Sequence, residues 1–283
     1  MVQYSLAGFV RSVNHAPIYR FRLALWQPHK HIHSSMDDGT NQPGSTDPAM
    51  QIPWELLAAT FINRPNRFVT QIRLDGEVLR AHLPDPGRLK ELLLPGVELR
   101  VQHTPGHKRK TDYTTHLVQR GNVWICINTL LPNRFADFLI NGGHLPFLSG
   151  WTVERREVTE GSSRFDFLLA KGIERMFLEV KSVTYAEDGL AQFPDAVTKR
   201  GARHARHLAE LARQGQRTMI LFVIQREDAD RFRPMWDRDP ALGHALVAAR
   251  EAGVAIHAIR TAVSPEAFAY RGEVPIDLSP PDG

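Results

Sequence analysis

Between residues 68 and 128 apolar and polar residues alternate with a period of two along several short stretches, the spacing of half-buried strands. Phe68 to Leu74 and Val78 to Leu83 alternate on either side of Asp75-Gly76, a pair suited to a tight hairpin turn. Val97 to His103, Thr114 to Arg120 and Val123 to Asn128 supply three more strands. Arg88 to Leu94, after the Pro86-Gly87 break, reads as one or two helical turns. Five short strands and a small helix predict a compact all-β, OB-like barrel over residues 51–130. A helix between the second and third strands is not the usual OB position.

After Pro132 the period changes. Asn133 to Ile140 reads as a helix ending at Gly142-Gly143, followed by strands at Thr152 to Val158, Arg164 to Ala170 and Arg175 to Val183. A long helix from Asp195 to Gln214, the wholly apolar strand Met219 to Ile224, a helix from Pro240 to Ala252 and a strand Val254 to Ile259 complete the order. This predicts an α/β domain with a mixed central sheet over residues 131–283. Residues 1–50 differ from the rest. Met1 to Met36 holds no acid and carries His29, His31 and His33, and Asp37 to Ala49 is a polar, Gly/Pro-rich linker. Three readings fit that segment: a disordered extension, a targeting peptide, or sequence upstream of a start at Met36 or Met50.

Composition narrows the class without naming an activity. The 283-residue chain is 42% hydrophobic and 23% charged, enough for a sizeable core. No apolar run is long enough to span a bilayer. Cys126 is the only cysteine, which rules out a disulfide framework and a Cys-based zinc site and suits a reducing, cytoplasmic setting. A net charge of +4 leans mildly toward a polyanionic partner. The oligomeric state, including a homo-oligomer, is left open.

The chemistry lies where charges interrupt apolar strands. In Phe165-Asp166-Phe167-Leu168 and Phe177-Leu178-Glu179-Val180-Lys181, Glu179 and Lys181 share one strand face by the period of two. Lys171 to Glu174 has the length of a hairpin connection, and in a suitable register a hairpin sets Asp166 beside Glu179. Two carboxylates and the Val180 carbonyl are hard oxygen ligands suited to Mg²⁺ or Mn²⁺, and Lys181 is placed to orient water or balance phosphate charge. That is the chemistry of phosphodiester hydrolysis. The alternative reading of the same residues is a cross-strand ion network on a solvated face with no metal.

The blocks Ser163-Arg164-Phe165-Asp166-Phe167-Leu168, Leu178-Glu179-Val180-Lys181-Ser182-Val183-Thr184 and Phe193-Pro194-Asp195-Ala196-Val197-Thr198 resemble the sugar fermentation stimulation protein A family. So do Leu83-Pro84-Asp85-Pro86-Gly87-Arg88-Leu89 and Asn128-Thr129-Leu130-Leu131-Pro132-Asn133-Arg134, and the similarity runs from about Phe61 to Leu278. The resemblance implies an OB-like domain followed by a PD-(D/E)xK, restriction-endonuclease-like domain that binds DNA without sequence preference. It puts the metal-site positions on Asp166, Glu179 and Lys181. Two departures stand out. Phe138 occupies the place where the family carries a further Glu, leaving Asp137, about 100° around the helix, as the nearest acid and a candidate ligand. Lys199 stands where an acid is common.

The helix after the metal strand carries Lys199, Arg203 and His207 at spacing i, i+4, i+8, with Arg200, His204 and Arg206 beside them. With Arg88, Lys108, Arg109, Lys110 and Arg134, these are candidate contacts to nucleic-acid phosphates. Phe68 and Trp124 are candidate stacking residues. No helix-turn-helix or zinc-finger spacing appears, so salt-sensitive, sequence-independent binding is expected. The sequence thus supports a DNA-binding protein with a Mg²⁺-dependent nuclease site. Its rival is a catalytically silent, DNA-binding regulator linked to sugar metabolism through the family's name alone.

Overall fold

The computed structural model describes residues 47–281, and the readings made for residues 1–46, the histidines at 29, 31 and 33 included, lie outside it. A closed barrel forms from β2 (Leu57–Asn66), β3 (Val69–Leu74), β4 (Glu77–His82), β5 (Glu98–His103) and β6 (Tyr113–Arg120). The strands run in the order β4-β3-β2-β5-β6, and a short parallel pairing of Ala81 and His82 with Tyr113 and Thr114 closes the ring. β7 (Val123–Cys126) pairs with β6 as an added strand. The ten-residue β2 escaped the sequence pattern, which held no strand before Phe68.

Arg88 to Leu94 is not helical. Leu89 adopts φ 48°, a left-handed conformation that breaks a helix, and the segment closes in turns through Leu92 N–H and Leu93 N–H to the Leu89 carbonyl. Leu89, Leu92 and Leu93 are buried among the barrel's core residues, so tertiary packing decides the shape of this segment.

The second half is built around a seven-stranded mixed sheet. Its strands are β1 (Ala49–Gln51), β8 (Thr152–Glu160), β9 (Ser163–Lys171), β10 (Glu174–Val183), β13 (Arg217–Ile224), β15 (Ala255–Val263) and β16 (Ala267–Glu273), in the order β1-β16-β15-β13-β10-β9-β8. The central β10, β13 and β15 are parallel. Apolar side chains on both faces explain why β13 reads as a continuous hydrophobic run. Met219, Leu221 and Val223 pack toward α1 (Leu131–Asn141), while Ile220, Phe222 and Ile224 pack toward α2 (Lys199–Arg213) and α3 (Pro240–Glu251). Ala49 and Met50 are strand residues paired with β16, so the extension expected over residues 1–50 overlaps this sheet at its end.

A small sheet of β11 (Tyr185–Glu187), β12 (Leu190–Phe193) and β14 (Arg231–Pro234) was not foreseen, its strands being too short for a periodic signal. α2 begins at Lys199, four residues later than expected. Asp195 is engaged with the barrel, and Thr198 caps the helix by accepting the Gly201 N–H at 3.0 Å.

Candidate active site

β9 and β10 form the expected antiparallel hairpin, and its ladder runs from Lys171–Glu174 to Phe167–Leu178. One further step in that register sets Asp166 against Glu179. There the ladder stops, and the Val180 N–H donates instead to Asp166 Oδ2 at 2.8 Å. Asn133 on α1 donates to Asp166 Oδ1, also at 2.8 Å, so both oxygens of this carboxylate are oriented by the protein.

Glu179 is buried, with 4% of its surface exposed. Its Oε1 accepts from Lys181 Nζ at 2.5 Å and from His204 Nδ1 at 2.7 Å, while Oε2 is buried and has no hydrogen-bond partner. An unpartnered buried carboxylate oxygen is costly unless something binds it. Burial alone would raise the Glu179 pKa, but the Lys181 ammonium and the His204 hydrogen bond outweigh it and hold the carboxyl below its usual range. Asp166 moves the other way. Burial, reinforced by the nearby Glu179 charge, pushes its pKa up to about 6 against the hydrogen bonds it accepts. The two acids are thereby set apart in strength, a pattern typical of working carboxylates.

These residues line a cavity of about 630 Å³, within the range of ligand-binding pockets. The barrel contributes Arg67, Asp85 and Gly87; the sheet domain contributes Asp166, Glu179, Lys181, Asn133, Asp195 and Arg200. Asp85 is a further buried acid there, its pKa also pushed to about 6, chiefly by burial and next by Asp195. Gly87 lies so close to Asp195 that a Cβ would stand 2.4 Å from Asp195 Oδ2, and the Leu89 N–H donates to that oxygen at 3.2 Å.

Among the cationic candidates, Arg200 lines the cavity and the others do not. Arg88, Lys108, Lys110, Lys199 and Arg203 are exposed elsewhere. Arg109 donates to the Thr111 carbonyl and the Thr114 hydroxyl, and Arg134 lies 5.2 Å from the centre of the Trp54 ring. His207 packs against Phe165 and beside Gly161 instead of facing solvent. Asp137 is outside the cavity lining and is held by Arg156, Nη2 to Oδ2 at 2.8 Å; Asn133, one turn earlier on α1, is the helix residue that reaches Asp166. Of the stacking candidates, Phe68 is exposed, whereas Trp124 is partly buried with the Arg100 guanidinium 4.9 Å from its ring.

The sequence reading counted His204 with the cationic face, but it is 1% exposed. Its spacing to Leu208 and Leu211, i+4 and i+7, was the signal that it belongs to the buried stripe. Arg67 had no local signal, and Asp85 and Asp195 stood out only within the family-like blocks, because the contact that joins the barrel loop to Asp195 spans 106 residues of sequence.

The donor set suits a hard divalent cation in part. Among the described residues no group of three or more His, Cys, Asp or Glu is placed to hold a metal. Two carboxylates, one with an unpartnered buried oxygen, fit an ion such as Mg²⁺ that keeps several waters and binds through one or two protein acids. No helix among the described residues is long and apolar enough to cross a membrane.

Comparison with known proteins agrees with this architecture. Residues 62–127 match the family model described as the SfsA N-terminal OB domain, and residues 130–267 that of the sugar fermentation stimulation protein RE domain. A sugar fermentation stimulation protein homolog of Natranaerobius thermophilus is 39% identical over 225 residues, covering 78% of this chain and 94% of the relative. One of Symbiobacterium thermophilum is 42% identical over 240 residues, covering 79% and 95%. The solved structure of Pyrococcus furiosus SfsA in complex with Ca²⁺ is similar with a TM-score of 0.75 at 33% identity, covering 81% of this chain and 98% of that one. With its barrel of the OB type and its mixed α/β domain, the chain belongs to the sugar fermentation stimulation protein (SfsA) family.

Proposed function

We propose that this protein is a divalent-metal-dependent phosphodiesterase that acts on nucleic acid, binding it largely without regard to sequence. The observation that carries the reading is the meeting of Asp166, Glu179 and Lys181 at one cavity, with Glu179 Oε2 buried and left without a partner. The Ca²⁺ complex of the Pyrococcus furiosus relative supports a hard divalent cation as ligand, and the reading here is Mg²⁺ or Mn²⁺ at these acids. Asp166 and Glu179 would hold it, and when bound it would polarise the scissile phosphate and make hydroxide available near neutral pH.

The chain's own groups do the rest. Asn133 and the Val180 N–H fix both Asp166 oxygens, and Lys181 and His204 fix Glu179 Oε1 and turn Oε2 to a role of its own. Lys181 Nζ, held at Glu179 Oε1, is placed to orient the attacking water and balance charge gathering on the phosphate. Arg67 and Arg200 supply positive charge on two sides of the cavity for the substrate backbone. A nucleic-acid substrate and the free thiol of Cys126 fit the reducing cytoplasm.

The test is incubation of single- and double-stranded DNA with Mg²⁺ or Mn²⁺, alongside Asp166→Ala and Lys181→Ala. Cleavage by the native chain that both variants lose is the expected result. Binding without cleavage at any metal concentration would leave the second reading, a silent DNA-binding regulator. The observation favouring that second reading is the placement of Asp137, which pairs with Arg156 and brings no further acid to the cavity.

A further inference from the structure

We infer that the cavity takes unpaired nucleic acid, a strand end or single-stranded segment, whose bases lie on Phe68, Leu130 and Val197. This rests on the phosphodiesterase reading and names the substrate class for it. The large hydrophobic side chains left exposed among the described residues are few: Phe68, Val78, Leu94, Leu130, Ile173 and Val197. Val78 and Ile173 sit at or beside hairpin turns, where exposure is common. Leu130 and Val197 are different. They come from separate segments, just before α1 and just before α2, yet both line this one cavity while remaining 63% and 62% exposed.

On the barrel side Phe68, 47% exposed, follows Arg67, which lines the cavity and whose guanidinium stands 6.0 Å from the Phe68 ring centre. Apolar surface is thus placed within reach of Arg67, Arg200 and Lys181. Charge of that sign attracts phosphates, but phosphates have no use for exposed Leu, Val and Phe. A duplex presents sugar and phosphate outward and keeps its base faces stacked inside. An unpaired strand offers a phosphate and an open base face at every nucleotide, and proteins that hold single strands combine cationic grooves with apolar platforms.

Binding is measured by fluorescence anisotropy with labelled oligonucleotides of one sequence: single-stranded DNA, single-stranded RNA and the blunt DNA duplex, at fixed salt with Ca²⁺. The native chain is expected to bind at least one single strand about tenfold tighter than the duplex. Phe68→Ala and the pair Leu130→Ser, Val197→Ser should each weaken single-strand binding about fivefold or more and leave duplex binding nearly unchanged. These side chains are exposed, and equal melting temperatures confirm intact folds. Duplex binding as tight as single-strand binding, or equal losses on both, overturns the inference. Binding needs no cleavage, so a catalytically silent protein still tests strand preference, while the Asp166→Ala and Lys181→Ala cleavage assay tests the enzyme separately.

Discussion

Replacing Asp85 by Asn should stabilise this protein at neutral pH, and the size of the effect follows from the site. Asp85 is 8% exposed and accepts the Gly87 N–H at Oδ1, at 2.7 Å. Burial, with Asp195 adding to it, raises its carboxyl pKa from 3.8 to about 6. The folded state therefore holds the proton more tightly than the unfolded chain. Below about pH 4 both states are protonated and the group costs nothing. As pH rises from there to about 6 the unfolded chain ionises first and stability is lost, and above 6 the full penalty of about 3 kcal/mol applies. Asn keeps the acceptor for Gly87 and removes the charge that Asp195 opposes. Urea unfolding should show Asp85→Asn about 1–3 kcal/mol more stable at about pH 7.5, with roughly half that advantage at about pH 5. A variant that is neutral or less stable at the higher pH, or whose advantage ignores pH, would refute the argument that Asp85 is held as a strained, buried charge.

His204→Ala removes one of the two groups fixing Glu179 Oε1; it should cost about 2–4 kcal/mol in urea unfolding and lower calorimetric Mn²⁺ affinity about tenfold or more. Unchanged metal affinity would confine His204 to the core. Gly87→Ala places a methyl against Asp195 and should destabilise by about 1–3 kcal/mol, with much of that recovered in the double variant carrying Asp195→Ala. Simple additivity in that cycle would mean the clash is relieved elsewhere. Because Asp166 must lose its proton to ligate, the rise in melting temperature with millimolar Mg²⁺ should be larger above about pH 6 than at pH 5. Equal shifts at both would place the ion away from Asp166.

What could be read from the sequence was whatever has a local period. The alternation of β9 and β10 and the short connection between them bring Asp166 and Glu179 together, because a hairpin register is set by its turn and its buried face. The two-faced burial of β13 was visible as an unbroken apolar run. Pairing across long separations was not. Ala49 meets Ala269, a three-residue strand against one from the other end of the chain, and nothing near either residue signals the other. His204 was misjudged because a histidine on a basic helix looks like part of its solvent face until the stripe of Leu208 and Leu211 is followed one turn back. Leu89 misled for a related reason: Leu89, Leu92 and Leu93 have helical spacing, but the left-handed backbone at Leu89 serves burial in the barrel.

The barrel is better understood as one wall of the site than as a binding module joined by a linker. Arg64, on β2, donates to the carbonyls of Asp85, Gly87, Arg88 and Arg67 at 2.7 to 3.0 Å, so a single guanidinium fixes the loop that carries Asp85 and the turn that carries Arg67. The same loop is pinned from the other domain by Asp195, through the Leu89 N–H and a glycine with no room for a side chain. Asp195 lies only a few residues before the helix that presents Arg200 to the cavity and His204 to Glu179. The barrel loop and the segment leading into α2 are thus joined at Asp195, beside the cavity that holds the acid pair. In the proposed phosphodiesterase the sheet domain would supply the acid pair, while the barrel lines the same cavity with Arg67, Asp85 and Gly87, so the site draws on both halves of the chain.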